Sequence, residues 1–133
     1  MAYDFHYDES DPGPVTPLDN LVQVIDYSLS HVPPEKLVLG VPTYGYDWTN
    51  KGGEALQYKQ FLDLARQKNV TPSRDPISSA MTFVYKDQGA KHEVWYEDAQ
   101  STKTKIAYAR SRGIYQFCFW RIGDEDPNTW VMD

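Results

Sequence analysis

The sequence predicts an α/β fold in which parallel strands alternate with helices and a small α+β insertion precedes the last strand. Three observations predict it. Two near-continuous apolar runs, Lys36 to Tyr44 (KLVLGVPTY) and Ile114 to Ile122 (IYQFCFWRI), have the composition of strands covered on both faces. Helical periodicity precedes each run, giving the strand, helix, strand rhythm of a right-handed crossover. Between the runs, a segment of alternating apolar and polar residues breaks that rhythm, as an insertion would.

The elements follow in order. Met1 to Tyr7 (MAYDFHY) reads as a strand, then Asp8 to Pro17 as a Pro/Gly/Asp-rich loop. Leu18 to Val32 carries Leu21, Val24, Ile25, Ser28 and Leu29 at helical spacing, with Asp19 or Thr16 as a cap and Pro33-Pro34 as the stop. Lys36 to Tyr44 is the second strand. Asp47 to Glu54 reads as a loop, and Tyr58 to Lys68 as a helix with Phe61, Leu62 and Ala65 on one face. Thr71 to Ser79 is a Pro/Ser-rich connector, and Met81 to Lys86 with His92 to Glu97 forms a hairpin about Asp87-Gln88-Gly89-Ala90. Asp98 to Arg112 is a helix ended by Gly113, with Glu97-Asp98 at its start and Thr102, Ile106 and Ala109 facing inward. Ile114 to Ile122 is the last strand. Asp124 to Asp133 is an acidic turn and a short terminal segment. The insertion covers roughly residues 50–97 of one domain spanning 1–133. Three parallel strands suit an open sheet or an arc of a barrel.

At 133 residues the chain is long enough for a real hydrophobic core. A net charge of −6 argues against a nucleic-acid partner, because phosphate binding needs clustered cations. The basic cluster Lys103, Lys105, Arg110 and Arg112 reads as a solvated helix face. No apolar run approaches the roughly 20 residues that span a bilayer, so no membrane partner is expected. The opening residues show no signal-peptide pattern, and a leader on a longer chain would leave no trace. One cysteine, Cys118, inside an apolar strand, reads as an inert buried thiol and gives no disulfide framework. His6, His31 and His92 lack metal-ligand spacing, and no phosphate-cradling glycine loop occurs, so neither a metal nor another cofactor is expected.

Ten Tyr, four Trp and five Phe make the chain rich in aromatics, whose faces stack on sugar rings or fill cores. Active-site residues of parallel barrels gather at the C-terminal strand ends. Those ends carry Tyr3-Asp4, then Tyr44 with Tyr46 to Trp48, then Trp120. Rings to stack, a phenol and a carboxylate make a plausible sugar pocket. Hydrolysis of a glycosidic bond ordinarily needs two carboxylates. Asp8, Glu9 and Asp11 lie in a loop, Asp124, Glu125 and Asp126 in an acidic turn, and both groups read as solvated. Asp4 is the one acid at a strand end, so no acid/base pair assembles and no catalytic residue is assigned.

These residues also carry a family resemblance. Met1-Ala2-Tyr3-Asp4 resembles the Met-x-Tyr-Asp motif on the sixth strand of glycoside hydrolase family 18, the chitinase family. Leu37 to Trp48 (LVLGVPTYGYDW) is similar to its seventh strand, and His92 to Gln100 with the strand ending in Trp120 to the run into its eighth. The resemblance leans toward bacterial spore-cortex and peptidoglycan-acting N-acetylglucosaminidases. It implies strands six to eight of a TIM (β/α)8 barrel, and polymers of β-1,4-linked N-acetylglucosamine as substrate. It also implies substrate-assisted hydrolysis, in which the substrate's N-acetyl group attacks the anomeric carbon.

By that resemblance Tyr3 holds the N-acetyl group and Asp4 the same sugar, Met1 lines the pocket and Trp120 forms its floor. Tyr44 and Trp48 join as further substrate-binding candidates. The family's acidic Asp-x-x-Asp-x-Asp-x-Glu motif, whose Glu is the general acid, is not found in this chain. The expectation is therefore the sugar-binding portion of a hydrolase. A non-catalytic carbohydrate-binding module is the alternative, as is a domain that self-associates into homo-oligomers through exposed strand edges. The residues do not fix a compartment; the family implies a bacterial cell envelope, spore or secreted setting.

Overall fold

A computed structural model describes residues 1–131 of the chain; the last two residues of the acidic terminal segment, Met132 and Asp133, lie outside the described part. Strand β1 (Val38–Pro42) and strand β7 (Gln116–Trp120) pair in parallel, from Val38 opposite Gln116 to Pro42 opposite Trp120. Both apolar runs thus become strands. Helices α1 (Leu18–Leu29) and α3 (Ala99–Ser111) cover one face, where Leu21, Ile25, Leu39, Val41, Ala109 and Ile114 close a core with Phe117 and Phe119. Strand alternation turns Val38, Cys118 and Trp120 to the other face, where all three are exposed. Cys118 is accordingly an exposed thiol rather than a buried one, because that face of β7 carries no covering layer.

The second body is a five-stranded antiparallel sheet in the order β3-β2-β6-β5-β4, backed by helix α2 (Tyr58–Gln67). Its strands are β2 (Gly45–Thr49), β3 (Gly52–Leu56), β4 (Ser73–Arg74), β5 (Met81–Asp87) and β6 (Ala90–Tyr96). The β5–β6 turn is built at Gln88 (φ 46°) and Gly89 (φ 83°), the pair of positive φ values that a tight two-residue hairpin requires. Phe61 of α2 stacks on Tyr96 with ring centroids 4.7 Å apart, and Phe83, Tyr85 and Val94 complete this core.

Several sequence expectations change. Met1 to Tyr7 forms no strand, since Asp4 adopts a left-handed backbone (φ 61°) that extended structure cannot pass through. Asp47 to Glu54 is not a loop but most of the β2–β3 hairpin. In the fold, the Trp48 ring lies so close to Gly53 that a Cβ there would sit 2.7 Å from the indole nitrogen. Helix α1 has Pro17 rather than Asp19 or Thr16 at its N-cap, because the Thr16 hydroxyl donates instead to Ala2 O at 2.9 Å. It also ends at Leu29, short of Val32: Ser30 still has helical backbone, and the His31 and Val32 N–H groups both turn back to Ser28 O at 3.1 and 2.8 Å, closing the last turn before Pro33-Pro34.

Lys105 is not part of a solvated face. Its ammonium lies 2.5 Å from Glu97 Oε2, and both side chains are 1% exposed. Asp126 is buried too, accepting the Ala99 backbone N–H at 3.0 Å. His92 is tied to Asp47, with Nδ1 at 3.0 Å from Oδ1, and stacks on Tyr85. Asp98 does cap α3, through its side chain and the Ser101 N–H at 2.8 Å.

Candidate functional site

The C-terminal ends of β1 and β7 meet the β2–β3 hairpin around one cavity of about 390 Å³. Asp4, Tyr44, Tyr46, Trp120, Arg121 and Asp124 line it. Leu56, at the end of β3, and Gln57 and Gln60, at the start of α2, close its far side.

Thr43, just beyond β1, fixes the end of β7. Its backbone N–H donates to Trp120 O at 2.9 Å and its hydroxyl to Arg121 O at 2.8 Å. Trp120 remains 58% exposed, leaving aromatic surface open. Tyr44 donates its phenolic hydrogen to Asp4 Oδ1. Burial, followed by that hydrogen bond to Asp4, pushes the Tyr44 phenol far above its ordinary range. Burial and the nearby Asp4 and Asp8 carboxylates raise Tyr46 in the same direction. Both phenols therefore stay protonated near neutral pH and act as hydrogen-bond donors.

Tyr3 packs edge-on against Tyr44, with centroids 6.3 Å apart, and Tyr44 likewise against Tyr46 at 5.8 Å. Tyr3 also lies over Gly40, where a Cβ would come within 3.2 Å of its ring. Asp4, Tyr44 and Trp120 thus share one cavity, and Tyr3 flanks it.

Two candidates lie elsewhere. Met1 is almost wholly exposed and borders a separate space of about 140 Å³ beside α1. Trp48 is 1% exposed, and its indole N–H donates to Tyr7 O at 3.0 Å, so its ring is used in packing the Asp8 loop onto the hairpin.

Gln57, Gln60, Arg121 and Asp124 are cavity residues that the sequence reading did not assign, whereas Tyr46 was read there as a strand-end aromatic. Asp124 is no solvated acid: Arg121 Nε donates to its Oδ2 at 2.8 Å, and its carbonyl accepts the Tyr58 N–H at 2.9 Å. The signal available was positional, since Arg121 directly follows the strand-end Trp120. Among the described residues no three His, Cys, Asp or Glu side chains converge as metal ligands.

An open aromatic face beside a carboxylate, phenols and amides, at the ends of parallel strands, offers a stacking surface together with hydrogen-bond donors and acceptors. The family model "Glycosyl hydrolases family 18" matches residues 1–126, and the chain belongs to that family. The chain is 32% identical over 139 residues to the cortical fragment-lytic enzyme of Bacillus subtilis, covering 99% of this chain and 32% of that protein. It superposes on the Bacillus cereus spore cortex-lytic enzyme SleL with a TM-score of 0.93 and 33% identity, covering 98% of this chain and 32% of the other. A chitinase from Chromobacterium violaceum gives 0.92 and 33%, with 98% and 42% covered. The chain spans about a third of the length of these curated relatives. Its α/β content and these neighbours fit a TIM-barrel-like domain.

Proposed function

We propose that this chain is the sugar-binding portion of a family 18 hydrolase acting on β-1,4-linked N-acetylglucosamine polymers, chitin or peptidoglycan. The observation that carries the reading is the convergence of Asp4, Tyr44 and Trp120 on one cavity, with the Trp120 face open to it. The relatives' names, cortical fragment-lytic enzyme and chitinase, support this substrate class.

In this reading the segment at Met1 to Asp4, β1 and β7 correspond to barrel strands six to eight. The sheet of β2 to β6 with α2 is the insertion walling the groove. Trp120 stacks on a pyranose ring. Asp4, oriented by Tyr44, accepts from the N-acetyl group or a hydroxyl of the same sugar, and Tyr3 donates to the N-acetyl oxygen. That arrangement favours attack by the substrate's own N-acetyl oxygen on the anomeric carbon. No carboxylate among the described residues is assigned as the general acid that protonates the leaving oxygen.

The experiment is calorimetric titration of the purified chain with a chito-oligosaccharide, alongside hydrolysis of a chromogenic one. Saturable binding that weakens in Trp120→Ala and Asp4→Asn, without turnover, is expected. Turnover that survives Asp4→Asn and Tyr3→Phe contradicts the site, and absence of any binding contradicts the substrate class.

A further inference from the structure

In a β-1,4-linked chain of N-acetylglucosamine each sugar is turned over relative to the one before it. Consecutive N-acetyl groups therefore point to opposite sides of the chain. A site that holds one N-acetyl group on one wall meets the next on the wall facing it. An N-acetyl group asks two things of that wall: a hydrogen-bond donor for its carbonyl oxygen and a small apolar surface for its methyl group.

The insertion side of the cavity offers both. Asp4, Tyr44 and Trp120 come from the layer of β1 and β7 and the segment before it, whereas Ala55 and Leu56 of β3 and Gln60 of α2 line the cavity from the insertion. Gln57 and Gln60 form the capping box of α2, in which the Gln57 backbone N–H donates to Gln60 Oε1 at 2.8 Å. A backbone N–H can donate only to the oxygen of a side-chain amide, so this bond fixes which way round the Gln60 amide lies. The amide oxygen is turned to the start of the helix. Gln60 Nε2, with its two N–H donors, meets no acceptor among the described residues. The Tyr58 N–H donates to Asp124 O at 2.9 Å, which ties the first turn of α2 to the segment after β7 and so fixes Gln60 relative to Trp120. Ala55 and Leu56 supply the apolar surface beside it.

We propose that Gln60 is a specificity-determining residue that binds the N-acetyl carbonyl of the sugar next to the one stacked on Trp120. The methyl group of that N-acetyl lies against Ala55 and Leu56. The inference rests on the function proposed above and deepens it, from one sugar held at Asp4 and Trp120 to two consecutive sugars read from opposite walls. The capping bond is part of the device. An amide held by its oxygen presents donors alone, which suit a carbonyl oxygen and give nothing to an acetamide N–H.

The test compares neutral disaccharides by calorimetry on the purified chain: chitobiose, and the two mixed β-1,4 disaccharides in which one or the other sugar is glucose. The wild-type chain is expected to bind chitobiose about three- to tenfold more tightly than the better-binding mixed disaccharide, as one neutral hydrogen bond allows. Gln60→Glu keeps an oxygen to cap α2 and removes the NH2 group, so its melting temperature should hold while the chitobiose advantage is lost. The affinity for the mixed disaccharide should not change with the substitution. The comparison of ligands on the unaltered protein keeps the test open should the Glu variant unfold. A wild-type chain that does not favour chitobiose, an advantage that survives in Gln60→Glu, or an equal loss for chitobiose and the mixed disaccharide each overturns the inference while leaving the proposed function standing. Binding of none of these disaccharides contradicts the proposed function and overturns the inference with it.

Discussion

Tyr44 donates its phenolic hydrogen to the Asp4 carboxylate, joining two residues 40 positions apart at the mouth of the cavity. Asp4 is exposed and its backbone is left-handed, so little else fixes the direction of its side chain. Tyr44→Phe should therefore weaken chito-oligosaccharide binding about three- to tenfold through lost preorganisation. Its thermal stability should change little, since the one bond lost runs to the exposed Asp4 carboxylate and the ring stays in place. Affinity that is unchanged or improved would show that the phenol does not orient Asp4. Parallel calorimetry and melting curves check this.

Trp48 and Trp120 predict opposite phenotypes. Trp48→Phe loses the bond to Tyr7 O and part of a buried ring, at a cost of about 1–3 kcal/mol of stability, while sugar affinity holds. Trp120→Ala leaves the fold nearly as stable, because Trp120 is already 58% exposed, and lowers sugar affinity about tenfold or more. Urea midpoints set beside binding constants separate the two. Swapped phenotypes would reverse the assignment.

The Glu97–Lys105 pair is wholly buried, with Glu97 Oε1 left without a hydrogen-bond partner among the described residues. Removing one partner strands a charge, so Lys105→Met should cost about 3–5 kcal/mol. The double variant Glu97→Gln/Lys105→Met should recover part of that loss. Equal stabilities for the single and double variants, measured by chemical denaturation, would contradict a coupled pair.

Asp98 links acid stability to the α3 cap. Burial alone would raise its carboxyl, but two bonds from Arg74, at 3.0 and 2.7 Å, and the Ser101 N–H outweigh it and hold Asp98 below the usual carboxylate range. A carboxyl that binds protons more weakly when folded adds stability at pH values above its unfolded pKa of about 3.9. That contribution is lost as pH falls through the folded value. Urea midpoints should accordingly decline below about pH 4, and Asp98→Asn should flatten that decline while costing stability at neutral pH. Parallel acid limbs in the two proteins would contradict it.

The parts of the fold that were legible in the sequence are those in which one local pattern decides. Lys36 to Tyr44 and Ile114 to Ile122 could hardly be solvated, and Gly89 marks a turn that only a hairpin uses. The β2–β3 hairpin was hidden because Asn50, Lys51, Gly52 and Gly53 look like a loop until the Trp48 ring is laid over Gly53. The Met1 to Tyr7 segment has strand composition, and the backbone of Asp4 overrides it. In the site, Tyr3, Asp4, Tyr44 and Trp120 were visible as strand-end residues. Trp48 shares their composition, and only the cover provided by Tyr7 and Gly53 distinguishes it. Glu97 with Lys105 and Arg121 with Asp124 lay beyond sequence reading, since a charged side chain declares its burial only through its partner.

The most direct measurement follows the indole N–H resonances of the four tryptophans in the 15N-labelled chain, each assigned by a Trp→Phe variant, during titration with chitotetraose. Trp120 should shift strongly and saturably, Trp48 and Trp95 should move little, and Asp4→Asn should weaken the response. A Trp120 signal that stays fixed while another indole shifts, or no saturable change at all, would contradict a sugar site built on Asp4, Tyr44 and Trp120.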